Sequence, residues 1–157
     1  MTRDAARPSV ALDAADRAII EQLQQDGRRP YTHIAKAVGL SEAAVRQRVQ
    51  RLLDAEVMQI VAVTDPLALG KARMAMIGVR VEGDVRSVAD AVAAYDGVEY
   101  VVYTAGSFDL LVEVLVKDDA ALLELLSDGL RMIPGVRTTE TLIYLRIAKQ
   151  TYTWGTP

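Results

Sequence analysis

The chain has 157 residues, of which 51% are apolar and 25% charged, with a net charge of −3. That leaves room for one medium domain or two small ones with a real core, and it excludes a largely disordered chain. The absence of cysteine excludes disulfides, thiolate metal sites and a cysteine nucleophile, and a single histidine (His33) leaves no histidine-based triad or zinc cluster.

Residues 1–9 lack the apolar core of a signal peptide and read as a disordered tail. No apolar run approaches the roughly 20 residues a membrane span needs, so a soluble, cytoplasmic chain with no membrane partner is expected. The first helix is predicted to start after Asp13, which can cap it, with Asp16 at the third position near the free amides. Leu12, Ala15, Ile19, Ile20 and Leu23 form its buried stripe, and Asp26-Gly27 ends it. A second helix is predicted over 31–38, with Ile34, Ala35 and Val38 inward. In Val38-Gly39-Leu40-Ser41, Gly39 suits a left-handed turn, Leu40 plugs the core and Ser41 caps the next helix. The third helix is predicted over 42–55, with Val45, Val49, Leu52 and Leu53 on its core side. Val57–Val63 reads as a short strand or wing. Together these elements make a domain over 10–64, followed by a linker over 65–71 punctuated by Pro66 and Gly70.

Residues 72–150 alternate strand and helix patterns. Strands are predicted over 73–82, 98–105, 109–117 and 136–148, and helices over 85–95 and 119–132. Tyr95-Asp96-Gly97-Val98 and Ile133-Pro134-Gly135-Val136 echo each other, each closing a helix and opening a strand. Two such interlocked halves give a ferredoxin-like βαββαβ sheet with helices on one face. The fold class is therefore α+β: an N-terminal winged helix-turn-helix plus a C-terminal ferredoxin-like sheet domain. The strands over 98–105 and 109–117 are apolar on both sides, so two helices leave an apolar sheet face uncovered. A second copy of the chain is the simplest cover, hence a homodimer. Met74 and Met76 belong to core or interface. Residues 151–157 form a tail whose Tyr152 and Trp154 either pack on a neighbouring subunit or fray.

Charge is distributed unevenly. Residues 28–51 hold Arg28, Arg29, Lys36, Arg46, Arg48 and Arg51 against Glu42 alone, so a basic module sits on an acidic body. In a helix-turn-helix the second helix of the motif enters the major groove. Here Ala43 and Ala44 allow close approach, while Arg46, Gln47, Arg48, Gln50 and Arg51 supply donors to bases and phosphates. Ser41 stands at the helix start, and Arg28 and Arg29 lie where phosphates should pass. Double-stranded DNA is thus the expected partner. The competing reading is a solvated helix face in an ordinary three-helix core.

In the sheet domain, Thr104-Ala105-Gly106-Ser107-Phe108-Asp109 joins two central strands. Gly106 permits a turn closed to other residues, turns of this kind can aim amides at a carboxylate, and Asp109 can hold an ammonium group or cap the turn.

The ordered set Leu12-Asp13 with Asp16, Asp26-Gly27-Arg28, Ile34-Ala35, Val38-Gly39-Leu40-Ser41, Val45-Arg46-Gln47-Arg48-Val49 with Arg51-Leu52, Asp65-Pro66 with Leu69-Gly70, Gly106 with Asp109, Pro134-Gly135-Val136 and Thr139-Glu140-Thr141 resembles the Lrp/AsnC family of transcription regulators over about 11–150. The resemblance implies dimers through the sheets, often rings of four dimers, and an amino-acid-like effector bound between sheet domains of neighbouring subunits, with no other cofactor and no metal. It implies an effector set of Tyr100, Thr104, Gly106, Ser107, Asp109, Thr138, Thr139 and Glu140. Two positions depart from the family: Ser107, where an acidic residue is common, and Glu56, where many members have glycine and where strain or a longer turn is expected. Some sirohaem decarboxylases share the architecture. They need histidines in the sheet-domain cleft and no basic reading helix, so a non-enzyme is expected. An architectural protein that bends DNA without an effector is the other alternative.

Overall fold

A computed structural model describes residues 11–66, 69–70 and 73–151. The expected N-terminal tail, linker residues 67–68 and 71–72, and the tail aromatics Tyr152 and Trp154 lie outside the described residues. The chain divides into two compact units, one built on residues up to Ala62 and one spanning Val63–Ala148.

The first unit holds α1 (Ala14–Gln25), α2 (Tyr31–Val38) and α3 (Glu42–Asp54). Its helix starts follow from side-chain chemistry. Asp13 accepts from the Asp16 amide at 2.8 Å while the Asp16 carboxylate accepts from the Asp13 amide at 3.2 Å, a reciprocal box that satisfies two otherwise orphaned donors. Ser41 Oγ accepts from the Ala44 amide at 3.2 Å and starts α3. Gly39 ends α2 at φ 70°, a left-handed position costly for a residue with a Cβ. Ile19, Ile34, Val45, Val49 and Leu52 are fully or almost fully buried, each contributing roughly 1.5–3 kcal/mol by burial. Past α3, the Glu56 and Val57 amides donate to Leu53 O and Leu52 O, which places Glu56 at φ 53°. The strand expected over Val57–Val63 does not form. No strand among the described residues pairs with this stretch, and Ile60, Val61 and Val63 are exposed; a strand is defined by the ladder that pairs its backbone groups.

The second unit is a four-stranded antiparallel sheet of order β2-β3-β1-β4, built from β1 (Arg73–Val81), β2 (Val98–Tyr103), β3 (Leu110–Val116) and β4 (Val136–Ile143). The order and the two helical crossovers are those of the expected ferredoxin-like fold. Alternation sets the faces. Ala75, Ile77 and Val79 of β1 and Leu110, Val112 and Val114 of β3 bury against α4 (Val85–Ala93), α5 (Asp119–Glu124) and the turns that follow α5. The opposite face carries Met74, Met76, Leu111, Glu113 and Leu142. On that face Gly78 has no side chain because the Phe108 ring lies there, 2.7 Å from where a Cβ would sit.

Three boundaries differ from expectation. The helix predicted over 119–132 stays α-helical only to Glu124, then widens to a π turn over Leu125–Gly129 and tightens to a 3-10 turn over Leu130–Met132. Gly129 lies under the Tyr95 ring, which leaves room for backbone only. The last strand stops at Ile143, not 148; beyond it the Tyr144 amide donates to Met74 O at 2.9 Å, and Leu145 is 96% exposed. Likewise β2 ends at Tyr103, where the Thr104 amide turns into the hairpin to donate to Asp109 O at 2.9 Å.

Candidate nucleic-acid and effector sites

The solvent side of α3 presents Ala43, Arg46, Gln47, Gln50 and Arg51 on one continuous surface, joined by Asp54 and Ala55. Ala43 is exposed and Ala44 half-buried, so close approach is possible at Ala43. Gln47 projects freely. Arg46 is exposed, bonded to Glu42 at 2.8 Å and stacked over Tyr31 at 5.2 Å from the ring centre. Gln50 donates to Asp54 at 2.7 Å. Asp54 thus adds a second acidic group to this helix, beyond the Glu42 that the charge pattern of 28–51 singled out.

Arg48 and Arg51 are engaged differently. Arg48 bonds Asp13 at 2.7 Å and Asp16 at 2.8 Å, and Arg51 bonds Asp16 at 2.6 Å. Asp16 is 1% exposed. Burial by itself would raise its pKa, but hydrogen bonds from Arg51 and Arg48 and from the Asp13 amide outweigh that and hold it down to about 2. The two arginines therefore tie α3 to the start of α1. Sequence periodicity placed Arg51 on the outer face and Arg48 beside it; their partner, more than thirty residues away, gives no local signal. Arg29 is also committed, donating to Gln22 and, at 3.2 Å, to Gln25. The Arg28 side chain is exposed; its amide donates to Asp26 at 2.9 Å, which shapes the turn. Ser41 serves as the cap of α3.

In the sheet unit the hairpin loop is tightly self-bonded. Thr104 Oγ1 donates to Phe108 O at 2.7 Å, and Asp109 Oδ2 accepts from the Val81 amide at 2.7 Å. One of the Asp109 oxygens is thereby spent on tying the end of the loop to β1 rather than on the turn itself. Gly106 sits at φ 154° with open space around it, and Ser107 is exposed. Thr138 and Glu140 stand opposite Arg80 and Gly78, on the uncovered face. Thr139 points to the other face, where its hydroxyl accepts from Arg131 Nε at 3.1 Å. Tyr100 is exposed opposite Glu113, three residues along β2 from the start of the loop. β1 separates β3 from β4, so the loop and the Thr138–Glu140 segment stand about 10 Å apart, two strand spacings. One chain does not bring the eight candidate residues together. Glu113, which accepts from Tyr144 OH at 2.8 Å, adds a carboxylate to the face that also carries Glu140. Among the described residues there is no cluster of metal-ligating side chains, and no helix is long and apolar enough to cross a membrane.

Two family models match: an AsnC-type helix-turn-helix domain over residues 12–53 and an Lrp/AsnC ligand binding domain over 74–154. The chain is 35% identical over 144 residues to the HTH-type transcriptional regulator FL11 of Pyrococcus abyssi, covering 90% of this chain and 95% of that one. It is 30% identical over 149 residues to the leucine-responsive regulatory protein of Salmonella typhimurium, covering 92% and 91%. Among solved structures, E. coli AsnC superposes with a TM-score of 0.82 at 26% identity, covering 91% of this chain and 98% of that one. A Neisseria meningitidis regulator in complex with L-Met shares the fold, with a TM-score of 0.83 at 24% identity over 92% and 97%. With both domain models matched in order and the curated relatives matched along most of their length, this chain belongs to the Lrp/AsnC family of transcription regulators.

Proposed function

We propose that the chain recognises specific double-stranded DNA through Arg46, Gln47 and Gln50, with Ala43 and Ala44 allowing close approach and Arg28 contacting phosphate. The observation that carries this reading is the surface of α3: a small residue beside three long donors, on a helix whose other arginines, Arg48 and Arg51, fix its position. The chain acts as a homodimer, and in a ring of four dimers, through the uncovered sheet face. Its Met74, Met76, Leu111 and Leu142 make a patch that a second sheet would cover. Paired α3 helices then meet half-sites about one helical turn apart. Residues 10–64 read DNA, 65–71 link, and 72–150 dimerise and respond to an amino-acid-like effector. The like-folded N. meningitidis regulator holds L-Met, which supports that effector class. A pocket shared between subunits is consistent with the separation of Gly106, Ser107 and Asp109 from Thr138 and Glu140 within one chain. The protein is not an enzyme and works in the cytoplasm.

The test is a binding titration against duplexes selected from a random pool, across a salt series. Arg46→Ala is expected to reduce the preference for the selected site by about 1–3 kcal/mol. Arg28→Ala is expected to weaken all duplexes alike and to flatten the salt slope by about one. An unchanged site preference in Arg46→Ala overturns the reading face. A low ratio of specific to non-specific affinity in the wild type favours the architectural alternative.

A further inference from the structure

At the outer edge of β4 lies a pocket of about 310 Å³ lined by Arg131, Val136, Arg137, Thr138 and Thr139. Its size falls at the lower end of small-molecule sites. We propose that this pocket binds a small multivalent oxyanion, a dicarboxylate or a phosphate, between the guanidinium groups of Arg131 and Arg137. The proposal does not depend on the DNA-reading assignment. It adds two residues, Arg131 and Arg137, that no effector candidate above includes.

Three observations carry it. First, neither guanidinium has a carboxylate partner among the described residues, although acidic side chains outnumber basic ones in this unit. Four other arginines, Arg46, Arg48, Arg51 and Arg73, do bond carboxylates. Two unneutralised guanidiniums lining one small pocket leave its potential positive and its fork-shaped donors open to a planar or tetrahedral oxyanion. Second, Arg131 is held before any ligand arrives. Its Nε donates to Thr139 Oγ1 at 3.1 Å, leaving both terminal NH2 groups for an anion and the Thr139 hydroxyl proton to be donated in turn. A pre-placed side chain loses less rotamer freedom on binding. Third, β4 is an edge strand, with β1 on one side and, among the described residues, no strand on the other. Outward amides of an edge strand are left unpaired by the sheet, although that of Val136 donates to Ile133 O at 3.1 Å. The pocket is distinct from the Gly106 hairpin, which joins β2 and β3 on the far side of β1.

The experiment is calorimetric titration of the full chain with 2-oxoglutarate and with inorganic phosphate, using L-leucine and sodium chloride at matched ionic strength as controls. Saturable binding of at least one of the two anions is expected, and which one binds distinguishes the carboxylate from the phosphate source. Arg137→Gln should weaken that binding about tenfold or more, and the Arg131→Gln/Arg137→Gln variant should abolish it. Arg137 has no ion-pair partner among the described residues, so its replacement should leave the melting midpoint of the free protein unchanged, and this measurement guards against misfolding. Binding no stronger than the chloride control, or unchanged affinity in the double variant, overturns the proposal. So does a double variant that loses DNA affinity while the wild type binds neither small anion, because the arginines would then serve phosphodiesters. Failure of the Arg46→Ala test with anion binding intact leaves this pocket standing while the DNA-reading face falls.

Discussion

Replacing Asp16 by alanine should loosen α1 from α3 more than any other single charge removal in the first unit. Asp16 is buried and bonds two guanidiniums, at 2.8 and 2.6 Å. Its pKa falls from 3.8 to about 2 against the opposing effect of burial, and a difference of that size corresponds to about 2 kcal/mol of stability. Because the folded value lies below the unfolded one, this stability is fully present above pH 3.8 and is lost as pH falls toward 2. Alanine removes the bond to the Asp13 amide as well and strips Arg51 of the carboxylate it bonds, which brings the cost to about 2–4 kcal/mol. Arg48 keeps Asp13, and Arg51 is 47% exposed, so the cost stays below that of a fully buried broken pair. The assay is amide hydrogen exchange in α1 and α3, which reads the opening of this unit separately from the sheet. Protection is expected to drop about thirtyfold or more at neutral pH, with the wild type approaching the variant near pH 2. Unchanged protection in Asp16→Ala would refute the reasoning and would return Arg48 and Arg51 to the pool of free DNA contacts.

The remaining expectations concern single contacts. Glu42→Gln releases Arg46 from its 2.8 Å partner and removes a negative charge from the α3 surface, so non-specific duplex affinity should rise severalfold at low salt and the gain should shrink as salt is added; a salt-independent or absent gain counts against DNA docking here. Glu56→Gly relieves a non-glycine residue at φ 53°, so urea denaturation should show a stabilisation of about 0.5–1 kcal/mol, and a destabilisation would mean that the Glu56 side chain contributes more than its backbone costs. Tyr144→Phe leaves Glu113 without the hydroxyl that now donates to it at 2.8 Å. Burial first, then the hydrogen bond and charge of Glu113, push the Tyr144 pKa up to about 12, so the hydroxyl stays protonated and donating across the physiological range. If the uncovered face is the dimer interface, sedimentation should show dimer dissociation rising about tenfold in this variant; an unchanged constant argues that the pair lies outside the interface.

Much of the fold was legible because its determinants are local. Asp13 and Ser41 cap helices through residues three positions away, and Val45, Val49 and Leu52 recur at helical spacing into the core. Strand ends were less legible because a strand extends only as far as its neighbour does. The apolar alternation of Leu145 and Ile147 suggested a longer strand than the ladder, which ends at Ile143, supports. The π turn at Leu125–Gly129, where Gly129 packs beside the Tyr95 ring of a distant segment, has no local signal in the sequence. Val57–Val63 has strand-forming residues, yet no strand among the described residues pairs with it.

The candidate sites divide along the same line. On α3, periodicity separates outward from inward positions, so Arg46, Gln47 and Gln50 could be read from spacing alone. Whether an outward arginine is available is a different question, settled by a carboxylate from a distant segment: Asp16 engages Arg48 and Arg51, while Arg46 has only its exposed neighbour Glu42. In the sheet, consecutive residues alternate faces, so a run such as Thr138-Thr139-Glu140 cannot line one surface as a block. Thr139 turns toward Arg131, and Thr138 and Glu140 turn toward the face that holds Phe108 and Glu113. A motif written as adjacent letters therefore splits into two chemical environments once the pleat is imposed. The arginines that accompany Thr139 at the edge of β4 become visible only after that split.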